Sequence, residues 1–291
     1  MSCSAAEMAI RIIESPDDLR RASREARGRG LRVAMVPTMG ALHEGHLSLV
    51  RTARERADLV VMSVFVNPTQ FGQGEDFDRY PRDLEADSRL AEENGVDILF
   101  HPPVETMYPE GETTRVEVDR LSARLCGATR PGHFRGVATV VAKLLIACEP
   151  DVAVFGRKDY QQWRVLERMC RDLLLDVEIV GAPIVREPDG LAMSSRNAYL
   201  SPEERTAARV LPRALHGGAQ AVADGERDPS AVVERMKGVV RSEPRARVDY
   251  LEAVDARELQ PVEALRGPTL LAGAVFIGRT RLIDNREAEA T

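Results

Sequence analysis

The sequence has little of what several large protein classes require. Aromatic residues make up 4% of its 291 residues, the net charge is −6, and the only lysines are Lys143, Lys158 and Lys237. The sequence shows no basic stripe of the kind found in nucleic-acid-binding proteins. No run reaches the roughly 18 apolar residues of a membrane-spanning helix. These absences predict a protein without a nucleic-acid or membrane partner.

The N-terminus and the cysteines bear on the compartment. Met1–Ile10 lacks the basic start and apolar stretch of a signal peptide, and we expect a short disordered extension there. The four cysteines form no C-x-x-C pair, and we expect them to be buried free thiols; they are Cys3, Cys126, Cys148 and Cys170. Together these features predict a reducing compartment and a cytoplasmic location.

Strand-like and helix-like segments alternate through the first two-thirds of the chain. The strand-like segments are rich in Val, Ile and Leu, as strands buried on both faces are. They are Leu31–Pro37, Leu59–Val66, Asp97–Phe100, Val152–Phe155 and Val177–Val180. The first predicted helix begins at Ser15 and ends by Gly30, and the others are Glu44–Ala57, Asp83–Asn94, Gly136–Cys148 and Asp159–Leu175. The alternation predicts an α/β fold with a Rossmann-like, doubly wound parallel sheet.

The alternation stops near Pro183. A capping box at Ser201–Glu204 predicts a long helix that runs towards Ala223, and a second helix is predicted at Asp228–Arg241. Three strands without intervening helices are then predicted at Val248–Val254, Leu270–Ile277 and Arg281–Ile283. Helices followed by antiparallel strands indicate a smaller α+β domain. We therefore expect two domains, 1–184 and 185–291, with the boundary near Ala182–Val185.

The segment Pro37–His46, PTMGALHEGH, follows the first predicted strand. The start of a helix offers free N–H groups and partial positive charge, and Gly40 and Gly45 have no side chain to keep a phosphate away. His43 and His46 are three residues apart and share a helix face. The pattern favours a phosphate cradle with two imidazole donors. Two capping or core histidines are the structural alternative, and a zinc site lacks both a third ligand nearby and the H-E-x-x-H spacing.

Two further segments carry groups that suit a nucleotide. Gly156–Gln162 follows another predicted strand, and its Lys158 can neutralise phosphate charge while Asp159 can accept ribose hydroxyl protons. Met193–Asn197 combines two hydroxyls with a guanidinium, as a triphosphate clamp does. The structural alternatives are a solvated charge pair and a polar hinge loop. We expect all three motifs to surround one triphosphate.

Two other loops are candidates for the same nucleotide site. The turn Asn67–Gly72 carries Gln70. The Gly-rich loop Leu125–Gly136 carries a basic run and is either a second phosphate-facing edge or a solvated surface. The run consists of Arg124, which directly precedes the loop, Arg130, His133 and Arg135. A Walker A sequence is absent, and the Gly28-x-Gly30 pattern precedes a strand instead of following one, so it is a poor dinucleotide fingerprint.

Together these motifs resemble a known family. PTMGALHEGH resembles the His-x-Gly-His signature of the nucleotidyltransferase superfamily, and Met193–Arg196, MSSR, resembles its mobile phosphate loop. With NPTQFG, LCGATRPGHFRGV, KDYQQ, LAMSSRNAYLS and RLIDN, the chain from about Ile10 to Asn285 is similar to the pantoate–β-alanine ligase family, the pantothenate synthetases.

The resemblance implies an activity. Pantoate and ATP form pantoyl adenylate and pyrophosphate, and β-alanine then displaces AMP to give pantothenate. It also implies Mg²⁺ on the ATP phosphates, with no protein side chain assigned as a metal ligand, and a homodimer joined through the N-terminal domains.

The resemblance also implies site residues by motif match. The catalytic residues are His46, His43, Lys158 and Arg196. The ATP-binding residues are Pro37, Met39, Gly40, His43, His46, Gly156, Lys158, Asp159, Val185, Met193, Ser194, Ser195 and Arg196. The residues for pantoate and β-alanine are Gln70, Gln162 and Asn67. Arg157 departs from the pattern, because the family usually has Glu at that position.

The chemistry places demands on these residues. A carboxylate has a pKa near ~4 and is already anionic at pH 7, so adenylate formation needs no general base. The obstacle is the approach of an anion to a polyanionic triphosphate, and we assign catalysis to positioning and charge neutralisation. No base for amide formation is evident in the sequence.

Three other functions fit parts of the pattern. They are a nucleotidyltransferase that acts on a phosphate ester, a nucleotide-binding regulatory module without chemistry, and a metal hydrolase. The neutral amides of Gln70 and Gln162 favour a small hydroxy acid over a phosphorylated substrate.

Overall fold

A computed structural model describes residues 10–289. Cys3 and the extension expected at the N-terminus, apart from Ile10, lie outside the described residues. The chain divides into two compact units. The first comprises the described residues up to Glu117 together with 135–155 and 169–182, and the second comprises 118–134, 156–168 and the described residues from Pro183 onward.

The second unit includes two segments that were expected in the N-terminal domain. They are 118–134 and 156–168. Both contact residues near the C-terminus of the chain: the Cys126 Sγ lies 3.2 Å from the Tyr250 Oη, and the Asn285 amide donates to the Arg157 carbonyl. These contacts explain the grouping, and the division into domains 1–184 and 185–291 stays a prediction.

A six-stranded sheet forms the centre of the first unit. Its strands are β1 (Arg11–Ile13), β2 (Val33–Thr38), β3 (Leu59–Val64), β4 (Ile98–Phe100), β5 (Val152–Gly156) and β6 (Glu178–Ala182). Their order is β1-β4-β3-β2-β5-β6, and β2 pairs in parallel with both β3 and β5. The predicted parallel, doubly wound sheet is confirmed.

The order of the strands reverses at β2. From β2 the chain moves outward through β3 and β4 on one side, and β5 and β6 lie on the other side. Open α/β sheets bind ligands beyond the carboxyl ends of the strands at such a reversal. Strand β2 ends at Thr38, inside the PTMGALHEGH motif.

Ten helices are described for residues 10–289. They are α1 (Pro16–Gly28), α2 (Glu44–Arg54), α3 (Leu84–Glu93), α4 (Val104–Met107), α5 (Cys126–Thr129), α6 (His133–Cys148), α7 (Tyr160–Asp172), α8 (Pro202–Ala208), α9 (Val210–Ala223) and α10 (Pro229–Arg241). Over the described part of the chain, no helix has the length and apolar character needed to cross a membrane.

The long helix predicted from Ser201 to Ala223 is wrong. The capping box at Ser201 is present and begins α8 as expected, but α8 ends at Ala208 and α9 begins at Val210. Pro212 has no N–H to donate to the carbonyl of Ala208, four residues earlier, and its ring crowds that carbonyl. The helical hydrogen-bond ladder is interrupted as a result.

The second unit is built on an antiparallel sheet. Its strands are β7 (Ala246–Asp255), β8 (Thr269–Ile277) and β9 (Thr280–Ala288), in the order β7-β8-β9. Residues of α9 and α10 share an apolar core with β8, including Leu215, Met236 and Leu271. The predicted α+β character is confirmed, although β9 is longer than the three residues predicted.

The described cysteines match the expectation. Cys126, Cys148 and Cys170 are buried and free. Burial raises the pKa of the Cys148 thiol to about 12, so this thiol stays protonated and unreactive at neutral pH.

Candidate active site

A tight turn links β2 to α2. Gly40 and Ala41 both have left-handed backbone conformations, with φ of +83° and +52°. A Cβ on residue 40 would lie 2.6 Å from the Asp87 Oδ2 and 2.9 Å from the Val64 Cγ1. Both the backbone conformation and the lack of space therefore require glycine at position 40.

Asp87 on α3 holds this turn. Its Oδ2 accepts the N–H of Ala41 at 2.9 Å, and its Oδ1 accepts the N–H of Leu42 at 2.8 Å. The residue is 3% exposed. Burial raises the pKa of the Asp87 carboxyl, although the two backbone hydrogen bonds lower it. The carboxylate thus fixes the backbone immediately before His43.

Sequence reasoning missed Asp87. It lies in a segment of mixed acidic and apolar residues that predicts an ordinary amphipathic helix, and its partners lie more than forty residues earlier in the chain. The sequence carried one usable signal. Asp87 lies on the apolar side of the helix, one turn before Ala91, which is buried.

His43 and His46 lie together at the start of α2. His43 is the N-cap, and its Nδ1 accepts the N–H of Gly45 at 3.1 Å. In neutral His43 the proton is then on Nε2, which makes that atom a hydrogen-bond donor. The two rings are stacked, with centroids 4.1 Å apart. One nitrogen of His43 can therefore cap the helix while the other donates to a ligand.

This arrangement does not support a zinc site. The Nδ1 of His43 is already used by the backbone, and stacked rings do not aim their nitrogens at one point. Within residues 10–289, no group of three or more His, Cys, Asp or Glu residues could hold a metal ion.

Asn67 and Gln70 follow β3 in the same unit. The Asn67 amide donates to the Gln70 Oε1 at 3.0 Å and to the Gly136 carbonyl, and its Oδ1 accepts the Tyr108 hydroxyl at 2.8 Å. The Gln70 amide donates to the Met39 sulfur at 3.0 Å. Because Asn67 is 1% exposed, the geometry favours a role in which Asn67 orients Gln70.

A pocket in the second unit is lined in part by the second motif, Gly156–Gln162. Lys158, Asp159 and Gln162 line it, together with Arg130 and His133 from the Gly-rich basic loop. The apolar part of the lining is Leu125, Phe134, Leu270, Ala272 and Ile283. The basic loop is therefore part of the wall of this pocket and contributes positive charge to it.

Asp159 is a carboxylate among cations. Its Oδ2 lies 3.3 Å from the Lys158 Nζ. Burial raises the pKa of Asp159, but the charges of Lys158, Arg196 and His133 outweigh burial and hold the pKa below its usual value. The ionised side chain only accepts hydrogen bonds, as the ribose hydroxyls of a nucleotide require.

The Met193–Arg196 loop is also in the second unit. The N–H of Met193 donates to the Val185 carbonyl at 3.0 Å. Ser194 caps a 3₁₀ turn, Ser195–Tyr199, by accepting the N–H of Arg196. The charge of Arg196 lowers the pKa of Asp159, so the clamp loop acts electrostatically on the second motif.

Arg157, whose role was open, lies at the start of the second motif. Its guanidinium donates to the Glu287 Oε2 on β9 at 2.7 Å. Its side chain is thus engaged within the protein.

The predicted site residues fall into two sets. The first unit contains Pro37, Met39, Gly40, His43, His46, Asn67 and Gln70. The second unit contains Gly156, Lys158, Asp159, Gln162, Val185, Met193, Ser194, Ser195 and Arg196.

The sequence matches a characterised family. The family described as pantoate-beta-alanine ligase matches residues 11–287. Pantothenate synthetases from Pelotomaculum thermopropionicum and Heliobacterium modesticaldum are each 56% identical to this chain. The two matches cover 94% and 96% of this chain and 97% and 100% of the relatives.

Solved structures are similar as well. A crystal structure of pantothenate synthetase from Thermus thermophilus has a TM-score of 0.91 and 48% identity, and the match covers 96% of this chain and 100% of that one. A crystal structure of pantoate-beta-alanine ligase from Francisella tularensis, complexed with beta-gamma ATP and beta-alanine, has a TM-score of 0.78 and 32% identity. That match covers 96% of this chain and 97% of the other.

Proposed function

The chain belongs to the pantoate–β-alanine ligase family, and on that basis we propose how its residues catalyse the ATP-dependent condensation of pantoate with β-alanine. ATP is a substrate. An oxygen of the pantoate carboxylate attacks the α-phosphorus of ATP and pyrophosphate leaves. The amine of β-alanine then attacks the carbonyl carbon of pantoyl adenylate, and AMP leaves with one of the original carboxylate oxygens.

The observation that carries the proposal is the geometry at the start of α2. The turn at Gly40 leads into the N-terminus of α2, where backbone N–H groups and partial positive charge favour the binding of a phosphate. His43 and His46 are stacked at this end of the helix. Imidazole donors beside the helix terminus stabilise the charge that develops when pyrophosphate leaves. Pro37, Met39 and Gly40 provide the adjoining wall for ATP.

The motif resemblance assigns further residues to ATP. Lys158, Arg196 and the hydroxyls of Ser194 and Ser195 neutralise phosphate charge, and Asp159 accepts from the ribose. The backbone of Gly156, Val185 and Met193 completes this set. Each oriented donor contributes about 3 kcal/mol to lowering the barrier, as oxyanion donors elsewhere do.

Mg²⁺ is proposed as a companion of ATP. The residues proposed for ATP offer imidazole, ammonium, guanidinium and hydroxyl groups, and this donor set fits a Mg²⁺ held mainly by phosphate oxygens and water. When bound, the ion would neutralise further triphosphate charge.

Neutral amides suit the pantoate hydroxyls and carboxylate. Gln70, oriented by Asn67, and Gln162 in the pocket both offer a donor and an acceptor without adding charge. We assign them to pantoate. Arg130 and His133 line the same pocket as Gln162, and we assign them to the carboxylate that β-alanine brings.

A reaction mixture tests the proposed reaction. The protein is incubated with ATP, Mg²⁺, pantoate and β-alanine, and the products are identified by mass spectrometry. We expect AMP, pyrophosphate and pantothenate, with no product when pantoate is replaced by a phosphate ester. Pyrophosphate release with phosphate esters alone would assign the chain to the rival nucleotidyltransferase chemistry.

Two substitutions test the residue assignments. We expect His46→Ala and Lys158→Ala each to slow pantoate-dependent ATP–pyrophosphate exchange by at least roughly 10²-fold, because each removes a hydrogen-bond donor from the phosphates. Arg51→Ala on α2 and Lys237→Ala on α10 are matched controls that remove a positive charge elsewhere. Exchange at near wild-type rates in the first two variants would refute the assignments.

The assembly and location implied by the resemblance are also proposed. A homodimer predicts twice the chain mass of 32.1 kDa in sedimentation equilibrium, and a single chain mass would contradict it. The buried free thiols fit a reducing compartment such as the cytoplasm.

A further inference from the structure

Asn285 on β9 holds the backbone of the second motif. The residue is 5% exposed, and its amide nitrogen donates to the Arg157 carbonyl at 2.9 Å and to the Lys158 carbonyl at 2.8 Å. Both protons of this buried amide are therefore used on the segment that carries Lys158 and Asp159. A buried amide with both protons satisfied in this way fixes the position of its acceptors, since any shift leaves a polar group unpaired.

The preceding residue, Asp284, holds a different segment. Its carboxylate accepts two hydrogen bonds from the Arg186 guanidinium, at 2.7 and 3.0 Å. The side chain of Asp284 is 1% exposed and that of Arg186 is 32% exposed. A bidentate pair fixes orientation as well as distance.

Arg186 belongs to a hairpin that leads directly into the clamp loop. It forms an isolated antiparallel bridge with Ala192, and the N–H of Met193 donates to the Val185 carbonyl. The position of Arg186 therefore determines where the backbone enters the Met193–Arg196 loop.

Asp284 and Asn285, which we call the two anchors, are also linked by a hydrogen bond. The Oδ1 of Asp284 accepts the N–H of Asn285 at 2.7 Å in addition to the bond from Arg186. Asp284 and Asn285 both line the pocket that contains Lys158. Two adjacent residues near the end of the chain thus contact two segments that lie about 100 and 130 residues earlier in the sequence.

We infer that Asp284 and Asn285 are positioning residues for ATP: Asn285 sets the segment that presents Lys158 and Asp159, and Asp284 sets the hairpin that carries Arg196. Neither residue needs to touch ATP for this role. The inference rests on the proposed function, since it requires that Lys158 and Arg196 bind ATP.

The isosteric substitution Asn285→Asp tests the first anchor. The carboxylate has no proton to donate and repels the carbonyl oxygens of residues 157 and 158. We expect kcat/KM for ATP in pyrophosphate exchange to fall by about 10²-fold, the loss typical of a displaced catalytic group. Leu282→Ala is the matched control, because it removes a buried β9 side chain of the apolar core and keeps both anchoring side chains. We expect it to lower the melting temperature and leave kcat/KM within about twofold of wild type.

A double variant separates positioning from general destabilisation. If Asn285 acts through the segment that carries Lys158, the loss in the variant with both Asn285→Asp and Lys158→Ala is much smaller than the product of the two single losses, because the interaction they share is lost only once. Multiplying losses, or a wild-type kcat/KM in Asn285→Asp, would overturn the inference. A Lys158→Ala variant of full activity would instead overturn the proposed function.

Arg186→Lys tests the second anchor and covers the case in which Asn285→Asp does not fold. Lysine keeps the charge but cannot form the bidentate pair. We expect the KM for ATP to rise about tenfold, with a smaller change in kcat, and no additional loss when Arg196→Ala is also present. An unchanged KM for ATP would refute the role of Asp284.

Discussion

Asp87 shows how a single buried carboxylate supports the site. It accepts two consecutive N–H groups, those of Ala41 and Leu42, at the point where the backbone adopts left-handed conformations. The charge is costly to bury, as its raised pKa indicates. The turn before His43 therefore depends on a residue that need not touch the substrate.

Replacing this carboxylate by an amide tests the dependence. In Asp87→Asn the oxygen can still accept one N–H, but the amide nitrogen faces the other. One partly buried N–H therefore loses its partner, at a cost of about 1 kcal/mol or more. We expect a lower urea midpoint and a higher KM for ATP in pyrophosphate exchange.

Asp83→Asn is the control for this prediction. Asp83 caps the same helix by accepting the N–H of Ala86, and asparagine caps equally well, so stability and KM should match the wild-type values. An Asp87→Asn protein with wild-type stability and KM would show that the turn does not need the carboxylate.

Among the helices, α8 depends on its first turn. It has only seven residues, and the Ser201 hydroxyl accepts the N–H of Glu204 while the Glu204 carboxylate accepts the N–H of Ser201. Losing the serine hydroxyl at a helix N-cap costs about 1 kcal/mol. We expect Ser201→Ala to lower the free energy of unfolding by that amount in urea titrations.

Thr206→Ala is the comparison for Ser201→Ala. Thr206 is a residue of the same helix whose hydroxyl donates to the Pro202 carbonyl at an exposed position, and its replacement should leave the urea midpoint nearly unchanged because alanine favours helix. Equal effects of the two substitutions would mean that the cap contributes nothing specific.

Elements with local signals were the most predictable. The helices predicted to begin at Ser15, Asp83 and Asp228 begin one residue after those positions, and each of the three residues is an N-cap that acts within three residues of itself. Strand β1 was not predicted, since it has three residues and only Ile13 is buried. The break between α8 and α9 was missed because the apolar pattern continues through Pro212, although a proline there removes a helical donor.

The candidate site was predictable only in part for a related reason. The motifs around His43, Lys158 and Arg196 are contiguous in sequence, so spacing and glycine content indicate phosphate binding. The residues that hold these motifs, Asp87 and Asn285, act across large sequence separations. A single sequence does not show which distant backbone groups such side chains contact.

For the whole molecule, ion pairs between carboxylates and cationic side chains determine how stability responds to acid. A hydrogen bond from Arg24 lowers the pKa of Glu149, and one from Lys143 lowers the pKa of Glu112. A carboxyl whose pKa is lower in the folded state stabilises the fold above its unfolded pKa of about 4.3, and this contribution is lost as pH falls through the folded value. The contribution of Asp87 to the pH dependence of stability has the opposite sign, because its pKa is raised.

Among the described carboxyl groups, more have a lowered pKa than a raised one, so we expect acid to destabilise the protein. We expect the urea midpoint to fall between about pH 6 and about pH 3.5. Glu149→Gln should be less stable than wild type at the upper end of this range and should lose less stability on acidification, because the group that takes up the proton is gone. A wild-type midpoint that stays constant over this range would contradict the assignment.

An isotope measurement tests most directly whether pantoate is activated as an adenylate. The protein is given pantoate labelled with ¹⁸O in its carboxylate, together with ATP, Mg²⁺ and β-alanine, and the nucleotide product is analysed by mass spectrometry. Attack of the carboxylate on the α-phosphorus predicts AMP that carries one ¹⁸O atom. ADP with ¹⁸O in inorganic phosphate, or AMP without label, would contradict the account.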